Sequence, residues 1–147
     1  MNGSRVRGAV LLLAGAAWGC AGDGSALDQG MLAGDEPTLA NIQAKVFGVI
    51  CVNCHVPGGP GDFMTLDSAE NSYAHLVGQP SLEIPRLLRV ARGDPDASYI
   101  VWKIEGQGPR GEEIAGERMP PPSAGEPALP AETIALIRQW IADGANP

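Results

Sequence analysis

Residues 38–55 read TLANIQAKVFGVICVNCH, and this stretch decides how the rest of the chain is read. Leu39, Ile42, Val46 and Ile50 recur at helical spacing, which predicts an amphipathic helix over 38–50 running directly into Cys51-Val52-Asn53-Cys54-His55. Two thiols and an imidazole then stand together at the end of that helix. A redox dithiol instead opens a helix after a strand. A zinc site would need more ligands than two cysteines and two histidines comfortably give.

The remaining reading of this spacing is a c-type haem attachment signature. Two thiols separated by two residues reach the two vinyl groups on one porphyrin edge, and the next residue brings its imidazole under the iron. One covalent haem c held by Cys51 and Cys54, with His55 as axial ligand, is therefore expected. Met119, His75, Met64 and Met31 are candidates for the other axial position. Met119 sits in Arg118-Met119-Pro120-Pro121-Pro122, where prolines stiffen the backbone and hold a thioether in place, and it is the expected ligand. His75 reads rather as a helix-face or loop histidine, Met64 as a minor candidate, and Met31 falls in a tether. Trp102, Tyr99, Arg89 and Arg92 are candidates for haem propionate contacts, each equally readable as core or solvated surface.

The composition suits a bulky apolar cofactor. Of 147 residues 44% are hydrophobic but only 5% aromatic, so the side chains alone make a thin core. The net charge of -7 argues against nucleic acid or an anionic membrane face as partner. Arg5 and Arg7 followed by the apolar run 9–17 read as an export signal, too short to span a bilayer. Ala16-Ala17-Trp18-Gly19-Cys20 resembles a lipoprotein cleavage box, with Trp18 bulkier than is usual there; cleavage at a nearby small-residue site is the alternative. Lipid on Cys20 and haem on Cys51 and Cys54 would account for all three cysteines, which an exported protein requires. The expected layout is a signal peptide over 1–20, a flexible tether over 21–36 and one domain over 37–147.

Further along, 57–62 reads as an irregular loop, 63–66 as a short extended piece and 68–77 as a helix. A short strand over 87–90 is expected to pair with 63–66. Asp94-Pro95 predicts a helix start, with Ala97, Ile100, Val101 and Ile104 as its buried stripe and Gly106 as its end. Residues 107–128 read as a Pro- and Gly-rich loop. A last helix begins at Pro130, carries Ile134, Ile137, Trp140 and Ile141 on one face, and ends at Gly144.

From Leu39 to Ala145 the chain resembles a single-haem cytochrome c domain of the planctomycete-type subgroup. The motifs in order are Cys51 to His55, Met64-Thr65-Leu66-Asp67-Ser68, Gly93-Asp94-Pro95-Asp96-Ala97-Ser98-Tyr99, Met119-Pro120-Pro121 and Trp140-Ile141-Ala142-Asp143-Gly144-Ala145. Arg92 stands where the subgroup often has proline. The resemblance implies an all-α fold whose first and last helices cross beside the haem, with Phe47 and Trp140 meeting there. It implies electron transfer between a protein donor and a protein acceptor, with His55 and Met119 on the iron at a positive potential. A haem enzyme with a labile sixth ligand and a haem module of a larger dehydrogenase are the alternatives. The protein is expected outside the cytoplasm, periplasmic or at the cell surface, touching a membrane only through lipid on Cys20.

Overall fold

The computed structural model describes residues 35–147. The expected leader, Cys20 and most of the tether, Met31 included, lie outside the described residues. Helix α1 is an α-helical turn, Leu39–Ile42, continued by a π-helical turn, Gln43–Phe47; α2 is Ala69–Leu76, α3 Tyr99–Glu105 and α4 Ala131–Ala142. Short 3-10 turns occur at Cys51–Asn53 and Pro122–Ala124. Among the described residues there is no strand, only isolated bridges, so the architecture is helical with long irregular connections.

Helix α1 is capped by Thr38, whose hydroxyl accepts from Asn41 N at 3.3 Å. Its stripe Leu39, Ile42, Val46 is buried as expected, with Ile50 packed at the core's margin. The helix nevertheless ends at Phe47 and does not run into Cys51. Gly48 N donates to Gln43 O, five residues back, at 2.8 Å, which widens the last turn into a π-bulge. A β-carbon on Gly48 would stand 2.8 Å from that same carbonyl oxygen, so only glycine closes the turn this way.

Helix α1 packs on α2 and α4, and α3 packs on α4. Phe47 and Trp140, each 1% exposed, lie in one apolar core with Ile42, Leu76, Val101 and Ile137. Emptying either aromatic site would cost about 3–5 kcal/mol. Helix α4 buries Ile137, Trp140 and Ile141 together with Leu136 and Thr133, while Ile134 is half-buried. Arg92 donates to Gly144 O at 2.8 Å and Ala145 O at 3.1 Å, tying the 92–94 turn to the end of α4.

The expected pairing of 87–90 with 63–66 does not occur. Val90 bridges Val77, and Leu88 bridges both Pro80 and Ser98. Leu66 already spends its amide on His55 O at 2.8 Å and its carbonyl on the Gln43 side-chain amide at 2.9 Å, and Met64 spends its own on Gly61 O and His55 Nδ1.

The third helix also starts later than expected. Asp94 does accept from Ala97 N at 3.0 Å, but this closes a separate turn in which Ser98 N reaches Pro95 O. The first amides of α3, Tyr99 N and Ile100 N, go instead to Leu88 O and Arg89 O at 2.9 and 3.0 Å. Distant carbonyls thus do the work of the cap. Ala97 stays outside the helix, Val101 and Ile104 are buried, Ile100 is half-buried, and Gly106 ends the helix with a φ of 85°.

Candidate functional site

Cys51 opens the 3-10 turn that follows α1, and its carbonyl accepts from both Cys54 N at 3.2 Å and His55 N at 3.0 Å. One oxygen therefore gathers both thiol-bearing residues and the imidazole into a single turn. Both cysteines carry free thiols. Cys51 packs against the core, and burial, reinforced by the nearby Cys54, pushes its thiol up to about 12. Reactive redox cysteines are shifted the other way. Among the described residues no three His, Cys, Asp or Glu side chains converge as a metal-ion set, Cys51, Cys54 and His55 included.

The loop after the motif folds back on His55. Gly61 N donates to Cys54 O at 3.0 Å and Leu66 N to His55 O at 2.8 Å, closing 55–66 into a compact loop. His55 Nδ1 faces two carbonyl oxygens, those of Gly61 and Met64, each at 3.1 Å. With acceptors on that side, Nδ1 carries the hydrogen of the neutral ring and Nε2 keeps its lone pair. This is the second-shell pattern that orients a ligating histidine. Phe63 stands edge-on to the imidazole at 6.1 Å between centroids.

Phe63 is 56% exposed and Val49, two residues before Cys51, is 57% exposed. Large apolar side chains left in water on both flanks of the motif are what a flat apolar cofactor would cover. Two free thiols two residues apart, an imidazole held through Nδ1 and exposed apolar side chains near the motif are groups that a haem could use. Cys51 and Cys54 would hold it, and His55 would bind its iron.

Met119 lies on another segment, the loop between α3 and α4. Its amide donates to Lys103 O in α3 at 2.7 Å, and the side chain is half-buried. Arg118 braces the same loop by donating to Pro120 O at 2.6 Å and Glu126 O at 3.2 Å. Met64 presents its carbonyl to the Nδ1 edge of His55. His75 lies in the last turn of α2, and its carbonyl accepts from Arg89 at 2.8 Å.

The residues considered for propionates have polar groups engaged within the protein. Tyr99 donates to Glu83 at 2.7 Å, Trp102 Nε1 donates to Asp96 O at 2.7 Å, and Arg92 is held by Tyr73 and the end of α4. Arg89 is engaged as well, through His75 O, but its guanidinium also lies 5.9 Å over the ring of Phe63, next to the His55 loop. Burial holds it below its ordinary pKa.

Two groups of residues were not signalled by the motif. Gln43 joins three segments: its amide nitrogen donates to Leu66 O, and its oxygen accepts from buried Ser72 of α2 at 2.7 Å. Lys103, only 8% exposed, donates to Ala115 O at 2.8 Å and pairs with Glu83 at 3.1 Å. A charged residue inside a helical apolar stripe was the available clue to the second. An open cleft of about 460 Å³ lined by Asp94, Trp102, Arg110 and Glu112 includes none of the motif residues. No protein family, characterised protein or solved structure matches the chain.

Proposed function

We propose that this protein is a single-haem c-type cytochrome that carries electrons between protein partners. Cys51 and Cys54 would attach the haem, and His55 and Met119 would bind its iron. The observation that carries the reading is the setting of His55: two carbonyl oxygens hold Nδ1, so that Nε2 is presented from the same turn as two free thiols. The raised thiol of Cys51 weighs against a redox disulfide.

When bound, the haem iron would supply a one-electron couple, which methionine ligation and a dry pocket move to positive potential. The protein's own task is to keep the iron's surroundings unchanged between the two charge states. A loop pinned at Lys103 and Arg118 serves that end, because a fixed sulfur limits reorganisation. Met64, with its carbonyl against Nδ1, belongs to the His55 side and suits the opposite axial position poorly. The acidic surface favours basic or neutral partners. Export through the leader, with lipid on Cys20 as the membrane anchor, completes the reading.

The test is the visible spectrum of purified protein through a reduction cycle with carbon monoxide added to the reduced form. A carrier gives a reversible couple, low-spin spectra in both states and little carbon monoxide binding. High-spin ferric bands with rapid carbon monoxide binding would make it a haem enzyme instead.

A further inference from the structure

The chain places a buried cation in the last turn of α3, between buried Trp102 and Ile104, where desolvation is costly unless something needs it. That cation is Lys103 of α3, which bears on three segments at once. Its ammonium donates to Ala115 O at 2.8 Å and pairs with Glu83 at 3.1 Å, while its own carbonyl accepts from Met119 N at 2.7 Å. Tyr99, one turn earlier, completes the link. Its hydroxyl donates to Glu83 at 2.7 Å and accepts from Ala115 N at 3.1 Å. Glu83 is set in turn by Ser81, whose buried hydroxyl accepts from Glu83 N at 3.2 Å and Ile84 N at 3.1 Å.

Both main-chain polar groups of Ala115 are thus held by side chains of α3, and the amide of Met119 is held by the backbone of the same helix. The loop is anchored four residues apart, on either side of 116–118. An ordinary surface ion pair would not do this, since it would fasten side chains and leave the loop backbone in water.

We infer that Tyr99, Lys103 and Glu83 are positioning residues that hold the 115–119 loop, and so set how firmly Met119 stays on the iron. The inference rests on the reading of Met119 as axial ligand. A thioether is a weak ligand, and its occupancy depends on how much freedom the loop would regain by letting go. Removing one link of the clamp leaves the other contacts of the fold in place and loosens this loop selectively.

The experiment compares the holoprotein with Tyr99→Phe, Glu83→Gln, Lys103→Met, Lys103→Arg and Met119→Ala, and with Arg138→Gln as a control. Arg138 pairs with Asp96 and Glu105 on another face. Amide hydrogen exchange at Met119 and Ala115 is measured together with the rate of carbon monoxide binding to the ferrous form. Tyr99→Phe, Glu83→Gln and Lys103→Met should each raise both by about tenfold, the scale of one lost hydrogen bond to a charged network. Lys103→Arg should restore most of the protection, and Arg138→Gln should move neither readout. Glu83 is exposed, so its variant remains informative if a variant of the buried residues fails to fold.

Wild-type exchange and binding rates in Tyr99→Phe and Glu83→Gln, beside fast binding in Met119→Ala, would overturn the inference and leave the ligand reading standing. Slow binding and an unaltered spectrum in Met119→Ala would overturn the ligand reading itself, and the inference with it.

Discussion

Gly61 approaches His55 so closely that a methyl group on its α-carbon would stand 2.5 Å from Nδ1 and 2.7 Å from Cε1. No real contact is that short, so either the imidazole or the 59–62 turn would have to move. The same glycine offers its carbonyl to Nδ1 at 3.1 Å. The absence of a side chain at 61 and the orientation of the ring at 55 are therefore one feature. Gly61→Ala should turn the imidazole away and displace its hydrogen bond. The expected outcome is a loss of about 1–3 kcal/mol in stability and a lower yield of low-spin holoprotein, read by denaturant unfolding and by absorbance per chain.

Gln43 ties α1 to Leu66 O and to the buried hydroxyl of Ser72. Gln43→Leu strips both partners, and Ser72, with no exposure, has no water to turn to. Unfolding in urea should show a loss of about 1–3 kcal/mol. Pairing the change with Ser72→Ala should recover part of it, because the unsatisfied hydroxyl is then gone.

Tyr99 should titrate late. Burial first, and its hydrogen bond to Glu83 second, raise its phenol from 10.0 to about 12. A group whose folded pKa is raised stabilises the fold fully below its unfolded value and loses that contribution as pH climbs through the folded value. The window is thus from about 10 to about 12. Absorbance titration of phenolate in wild type minus Tyr99→Phe should give a midpoint near the upper end. A difference midpoint at the ordinary tyrosine value would remove the buried phenol from the account.

Met119→Ala takes away the proposed sulfur ligand but keeps the loop's backbone contacts, since these involve Met119 N and Lys103 O. The potential should fall and the ferric form should acquire high-spin character. Potentiometric titration with the ferric spectrum checks both. An unchanged spectrum would direct attention to His75.

Much of the helical framework is readable from the chain because its cause is local. Leu39, Ile42 and Val46 in α1, and Ile137, Trp140 and Ile141 in α4, follow the period of the helix and are buried together. The helix expected over 68–77 is found as α2, with Ser68 accepting from Asn71 N as its cap. The π-turn before Cys51 is not readable in the same way, since it depends on how closely Gly48 can approach Gln43 O. The start of α3 depends on carbonyls of Leu88 and Arg89 brought from elsewhere, so the local promise of Asp94-Pro95 misleads by one turn. At the candidate site, the spacing of Cys51, Cys54 and His55 is a property of sequence, whereas the carbonyls facing His55 Nδ1 come from a loop whose path no motif announces. The clamp on the Met119 loop is hidden for the same reason: Lys103 looks like an interruption of an apolar stripe until Glu83 and Ala115 are placed beside it.

The most direct measurement is the intact mass of the denatured, purified chain, produced in cells that attach haem to exported proteins. The account predicts a polypeptide heavier by one haem, with colour that survives acid-acetone extraction and disappears in a Cys51→Ala, Cys54→Ala double variant. A mass equal to the bare polypeptide, or colour that extracts completely, would contradict it.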